Sequence, residues 1–110
     1  MTAINDRFSL VPIEALYDEL LTNAEFRMLT VLYSFRDKNC NTVWPRLKIL
    51  AERAGYSDNT QVSRMTSKLE KKGWLTKGKK RGPRGPKIYE LTVPDRVQLV
   101  RKSQVDRYSQ

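Results

Sequence analysis

The sequence predicts a mainly α fold closed by a small β-hairpin, an α+β class, and three observations carry this. Three stretches between residues 22 and 72 place apolar side chains at the three-and-four spacing of a helix with one buried face. Gly55 and Gly73 follow the second and third of them, where a glycine commonly ends a helix in the left-handed conformation. After Gly73, the strand-like stretches 74–77 and 87–93 flank the loop "GKKRGPRGP", which is the pattern of a hairpin.

Each element has its own signal. In residues 8–21, "FSLVPIEALYDELL", Pro12 is placed to open a short helix, and Ile13, Leu16, Tyr17 and Leu20 then fall on one face, expected to pack on the main body. Thr22 and Glu25 have the spacing of a capping box. Phe26, Leu29, Val31, Leu32, Tyr33 and Phe35 follow, apolar around much of the circumference, as a central core helix requires. "KNCNT" carries turn residues, and "TVW" offers a minimal strand before Pro45. Pro45 suits the first turn of a helix over 45–54, lined on one side by Leu47, Leu50, Ala51 and Ala54. Ser57 or Asp58 then caps a helix over about 58–72, with Val62, Met65, Thr66 and Leu69 on its inner side. In the last strand Tyr89, Leu91 and Val93 alternate with Ile88, Glu90 and Thr92, so one face is buried. Trp44 and Trp74 are read as core or strand-edge packing. The organisation is thus a lead-in over 1–21, a domain over 22–93, and a basic tail or short helix over 94–110.

Composition narrows the function. At 110 residues, 39% apolar and 30% charged, the chain is long enough for one modest core. No apolar run approaches the roughly 20 residues that span a bilayer, and "MTAINDRF" lacks the order of a secretory signal, so a cytoplasmic protein without membrane contact is expected, which would be nucleoid-associated if its partner were DNA. A single cysteine, Cys40, fits a reducing compartment. The absence of histidine removes the usual general base and the commonest metal ligand. Neither GxxxxGK[ST] nor GxGxxG occurs. No enzyme, metal or cofactor is expected.

Charge points to a partner. Residues 1–70 hold nine basic and nine acidic groups, whereas 71–110 hold twelve basic and three acidic, so the whole excess of +9 lies in the last 40 residues. A field so concentrated suits a polyanion, and nucleic acid is the commonest one available to a soluble cytoplasmic chain.

Two helices joined by the tight turn in "AERAGYSDNT" have the helix-turn-helix pattern, and the hairpin directly afterwards gives it a wing. At this point "VWPRLKILAERAGYSDNTQVSRMTSKLEKKGWLTK" resembles the winged helix-turn-helix pattern of bacterial, phage and plasmid DNA-binding proteins. The landmarks are Trp44-Pro45, Leu50-Ala51 with Gly55, Val62-Ser63-Arg64, and Leu69-Glu70 before Gly73-Trp74-Leu75. "LTNAEFRMLTVLYSF" looks like the first helix of that family, including its replication-initiator branch, whose members often begin with a segment such as Val11-Pro12. The resemblance covers residues 8–93.

It implies that Asn59, Thr60, Gln61, Ser63, Arg64, Ser67 and Lys68 lie at or near a major groove; helical geometry by itself puts most of them away from the core. Arg64 suits a two-pronged contact to guanine, Gln61 or Asn59 one to adenine, and Thr60, Ser63 and Ser67 are short enough to let the helix sit close. Lys68 and Lys71 suit phosphates. In the wing, Lys77, Lys79, Lys80, Arg81, Arg84 and Lys87 are expected on phosphates or in a minor groove. The expected partner is double-stranded DNA, at a replication or partition site or, alternatively, an operator. Dimerisation through the tail or through Leu16, Tyr17, Leu20 and Leu21 is left open, as is contact with a replication or transcription protein. A winged helix serving as a protein or RNA interaction module is the alternative of another class.

Overall fold

Thr22 starts the first α-helix, as its spacing from Glu25 predicts: its Oγ1 accepts the Glu25 N–H at 3.2 Å, and Glu25 Oε1 accepts the Thr22 N–H at 2.9 Å. The computed structural model describes residues 9–37, 39–78 and 87–98. Helix α1 (Asn23–Tyr33) buries Met28, Leu29, Val31, Leu32 and Tyr33, with Phe26 and Phe35 half-buried against the same core. Its neighbours are α2 (Leu47–Ala54) and α3 (Asn59–Lys71), which bury Leu50, Ala51 and Ala54, and Val62, Thr66 and Leu69. The periodicity of the sequence thus identifies the inner faces of α2 and α3, while in α1 it leaves out the fully buried Met28.

Pro45 does not open α2. Arg46 is the N-cap in extended conformation, and Pro45 lies one residue further out, where its fixed φ shapes the approach to the helix. The β-strands form one antiparallel sheet in the order β1 (Thr42–Val43), β3 (Tyr89–Leu91), β2 (Leu75–Lys77). Val43 and Lys77 both pair with Tyr89, and Leu75 pairs with Leu91. The expected hairpin is therefore present, and "TVW" adds a third strand on its far edge. Val43, Leu75, Tyr89 and Leu91 turn inward, while Thr76 and Glu90 face solvent. Burying large apolar side chains of this kind stabilises a fold by about 1.5–3 kcal/mol each.

One expectation about apolar residues is overturned. The short helix behind Pro12 is present, but as a five-residue 3-10 helix (Ile13–Tyr17). The tighter winding changes which side chains point inward: Glu14, Ala15 and Asp18 are buried, while Ile13, Leu16 and Leu20 are 47%, 70% and 57% exposed. Trp44 is 45% exposed at the end of the edge strand β1, beside a cleft lined by Phe35, Cys40, Val43 and Pro45, whereas Trp74 is wholly buried in the core. Cys40 is exposed, a loop residue.

The core also reaches past both ends of 22–93. Ala15 and Val97 belong to it, and Asp18 receives hydrogen bonds from Trp74 Nε1 and Arg96 Nη2, each at 2.6 Å. Lys72 pairs with the buried Glu25. Of the tail, residues 95–98 form a single helical turn behind Pro94; the remainder, 99–110, lies outside the described residues.

Candidate nucleic-acid interface

The turn between α2 and α3 is built by backbone chemistry. Gly55 adopts φ +83°, the Tyr56 N–H reaches the Ala51 carbonyl at 2.8 Å and the Gly55 N–H reaches that of Glu52 at 3.2 Å. These paired bonds satisfy carbonyls that a helix end leaves open. Arg27 of α1 adds its Nε to the Ala54 carbonyl at 2.9 Å, a cation at the helix C-terminus. Three residues past Gly55, Asp58 Oδ1 accepts the Thr60 N–H at 2.8 Å and starts α3. Hydrogen bonds from the Thr60 backbone and side chain hold the exposed Asp58 carboxyl below the usual carboxylate range, with the Arg64 charge adding to them.

Because Val62, Thr66 and Leu69 are buried, the opposite face of α3 is turned to solvent. Thr60, Arg64, Ser67 and Lys71 are exposed along one stripe of it, and Asn59 and Lys68 are exposed beside them. Gln61 and Ser63 are half-buried at its margins. Helix α3 stops at Gly73, φ +87°, where the Trp74 N–H meets the Leu69 carbonyl at 3.0 Å and the chain turns into β2.

The base of the wing stands directly against this helix. Lys77 donates its backbone N–H to Glu70 Oε2 at 2.8 Å and its ammonium to Ser67 Oγ at 2.8 Å. Burial against α3 and the nearby positive charge of Lys87 hold the Lys77 ammonium below its usual 10.5, and Glu70 works the other way. The hairpin ladder continues to the Gly78 N–H on the Ile88 carbonyl at 2.7 Å, so Lys77 and Lys87 flank the root of the wing loop. Lys79, Lys80, Arg81 and Arg84 lie outside the described residues.

Sequence reasoning missed the bond from Lys77 to Ser67, which joins a residue assigned to phosphate with one assigned to base readout. It also missed Asp18 as the acceptor for Trp74, although an indole N–H buried in a core needs one. Among the described residues no group of three or more His, Cys, Asp or Glu side chains is placed to hold a metal ion. None of their helices is long and apolar enough to cross a membrane.

Two helices joined through the Gly55 turn, packed on α1 and followed by an antiparallel hairpin, define a winged helix-turn-helix fold. Residues 19–75, more than half of the 110-residue chain, match the family described as a helix-turn-helix domain, and the chain belongs to that family. Two solved structures are similar to it. One is described as "Structure of Rep-DNA complex", with 21% identity over 96% of this chain and 90% of that one, at a TM-score of 0.60. The other, "N-Terminal domain of DNA binding protein", has 21% identity over 96% and 89% of the two chains, at a TM-score of 0.58. At these identities the likeness is one of fold. Comparison with curated proteins gives no match.

Proposed function

We propose that the protein binds double-stranded DNA in a sequence-dependent way and without catalysis, with α3 in the major groove and the wing, 77–87, along phosphates or in the adjoining minor groove. The observation that carries this is the outer stripe of α3. Thr60, Arg64, Ser67 and Lys71 project from a helix fixed by three buried side chains, beside a hairpin rooted between Lys77 and Lys87. Rigid placement of short polar groups and an arginine is what base readout needs, while lysines at the rim supply the sequence-independent part of the affinity. An acidic protein partner would find the same charge but no use for the short side chains that let α3 sit deep.

The role we favour is replication initiation or partition on a phage or plasmid replicon. The similar fold described as a Rep–DNA complex supports it, as does the Val11-Pro12 segment ahead of the first helix. Binding an operator in transcription would use the same surface. Selection of bound duplexes from a random pool tests the reading. Tandem direct repeats are expected for an origin or partition site, and a palindrome would mean that two copies read an operator together. Equal affinity for duplex DNA, single strands and RNA at moderate salt would overturn sequence-specific duplex binding.

A further inference from the structure

At the seam between α3 and the wing, the Lys77 ammonium lies 2.8 Å from Ser67 Oγ and 3.4 Å from the Ser63 carbonyl oxygen. An ammonium carries three donors and no acceptor, so the serine oxygen is the acceptor in this pair. A helical serine commonly gives its own hydroxyl hydrogen to the carbonyl four residues back. For Ser67 that carbonyl belongs to Ser63, which lies 3.4 Å from the Lys77 ammonium and 3.1 Å from the Thr66 hydroxyl, whose single hydrogen also has the Val62 carbonyl at 3.0 Å. With one lone pair engaged by Lys77 and its usual acceptor shared, the Ser67 hydroxyl hydrogen is available to a group outside the helix. Ser67 is exposed, on the same stripe as Thr60 and Arg64.

We propose that Lys77 and Ser67 form one specificity unit, in which Lys77 is a positioning residue and Ser67 presents a hydrogen-bond donor that selects an acceptor on the DNA. This rests on α3 being the base-reading helix. The group selected is an acceptor on a base edge, N7 of either purine, O6 of guanine or O4 of thymine, in preference to the cytosine amino group, which is itself a donor. The charge of Lys77 acts in the same direction, since a cation beside the hydroxyl favours an electron-rich partner. Anchoring also fixes Lys77 in place: its N–H is held by Glu70 and its side chain by α3. A phosphate oxygen has the same acceptor chemistry, and the test separates the two sources.

The full-length chain and the variants Ser67→Ala, Lys77→Met, Ser67→Ala with Lys77→Met, and Lys77→Arg are each used to select duplexes from a random pool, and salt titrations follow on the selected duplex. Ser67→Ala and Lys77→Met are expected to relax a bias against cytosine at the same position, by about tenfold. The double variant should relax it no further, and Lys77→Arg, which retains donors and charge, should keep it. Preferences at other positions should stand, which a misfolded variant would not allow. Two results would overturn the unit: losses at different positions that add in the double variant, or an unchanged bias against cytosine with a salt slope lowered by about one, the mark of a phosphate contact. Failure of the wild type to enrich any motif would instead remove the base-reading role of α3, and it is seen before any variant is compared.

Discussion

Trp74 donates its indole N–H to Asp18 Oδ2 at 2.6 Å, which joins the residue entering the wing to one 56 positions earlier. Arg96 reaches the same oxygen at 2.6 Å and the Leu20 N–H reaches Oδ1 at 3.0 Å, so three segments converge on one carboxylate. The Asp18 side chain is only 2% exposed. Removing it strands a buried indole donor and leaves Arg96 without its partner. Asp18→Ala should cost about 2–4 kcal/mol of stability in urea unfolding. A loss below about 0.5 kcal/mol, the level of a surface change, would mean that the junction does not hold the segments together.

The same carboxylate makes stability depend on pH. Burial is the strongest single influence on Asp18 and pushes its pKa up, but hydrogen bonds from Trp74, the Leu20 N–H and Arg96 outweigh it and hold the group below its usual 3.8. At Glu25, burial again pushes up, and the hydrogen bond and charge of Lys72, with the Thr22 contacts, bring the value below 4.5. Groups with lowered folded pKa values stabilise fully above their unfolded values, and that contribution is lost as pH falls through the folded ones. The urea midpoint should therefore stay level from about pH 7 to pH 5 and drop below about pH 4. The variant carrying Asp18→Asn and Glu25→Gln should be weaker at neutral pH and fall less steeply in acid; an equally steep fall would assign the loss to other carboxylates.

How much of this was legible depended on whether a feature was local. The Thr22–Glu25 box, the Asp58 cap, the stops at Gly55 and Gly73 and the inner face of α3 are all set by residues a few positions apart, and each is where its spacing places it. Residues 8–21 misled because Ile13, Leu16, Tyr17 and Leu20 fit an α-helical wheel, whereas the five-residue 3-10 winding buries Glu14, Ala15 and Asp18. In the candidate interface, periodicity located the outer stripe of α3. The bond from Lys77 to Ser67 spans ten residues across a turn, and no spacing rule foretells it.

The two glycine stops should respond unequally to a methyl group. Both have positive φ, which costs an L-residue about 1–2 kcal/mol. At Gly55 an added Cβ would meet the end of the Arg27 side chain at 3.2 Å, and that flexible group can give way. At Gly73 it would meet two ring carbons of Pro94 at 3.3 Å, and Pro94 is buried and rigid. Gly73→Ala is therefore expected to lower thermal stability more than Gly55→Ala. Equal losses would mean that backbone strain alone sets the cost.

Arg64 is exposed at the middle of the α3 stripe, where a fork of N–H donors suits guanine O6 and N7. Arg64→Ala should relax preference at one base position and cost about 1–3 kcal/mol there, read from competition between selected and singly altered duplexes. The fold should be unaffected, because the side chain takes no part in the core. Unchanged preference would take Arg64 out of base readout and leave it a phosphate contact.

Changes at the wing tip should act on all sequences alike. Each lysine or arginine that neutralises a phosphate releases condensed counterions, and the logarithm of affinity falls with that of salt by about 0.9 per contact. Replacing Lys79, Lys80 and Arg81 together with Ala should reduce the slope by roughly two to three if all three reach phosphate, and weaken selected and random duplexes by similar factors. This is the opposite signature to Arg64→Ala, which changes discrimination at one position. Measured side by side from 50 to 200 mM salt, about the range over which such contacts lose most affinity, the two variants separate sequence readout from phosphate grip. An unaltered slope in the triple variant would mean that the wing tip does not touch the backbone, and the positive field of the last 40 residues would then act through Lys71, the root of the wing and the tail.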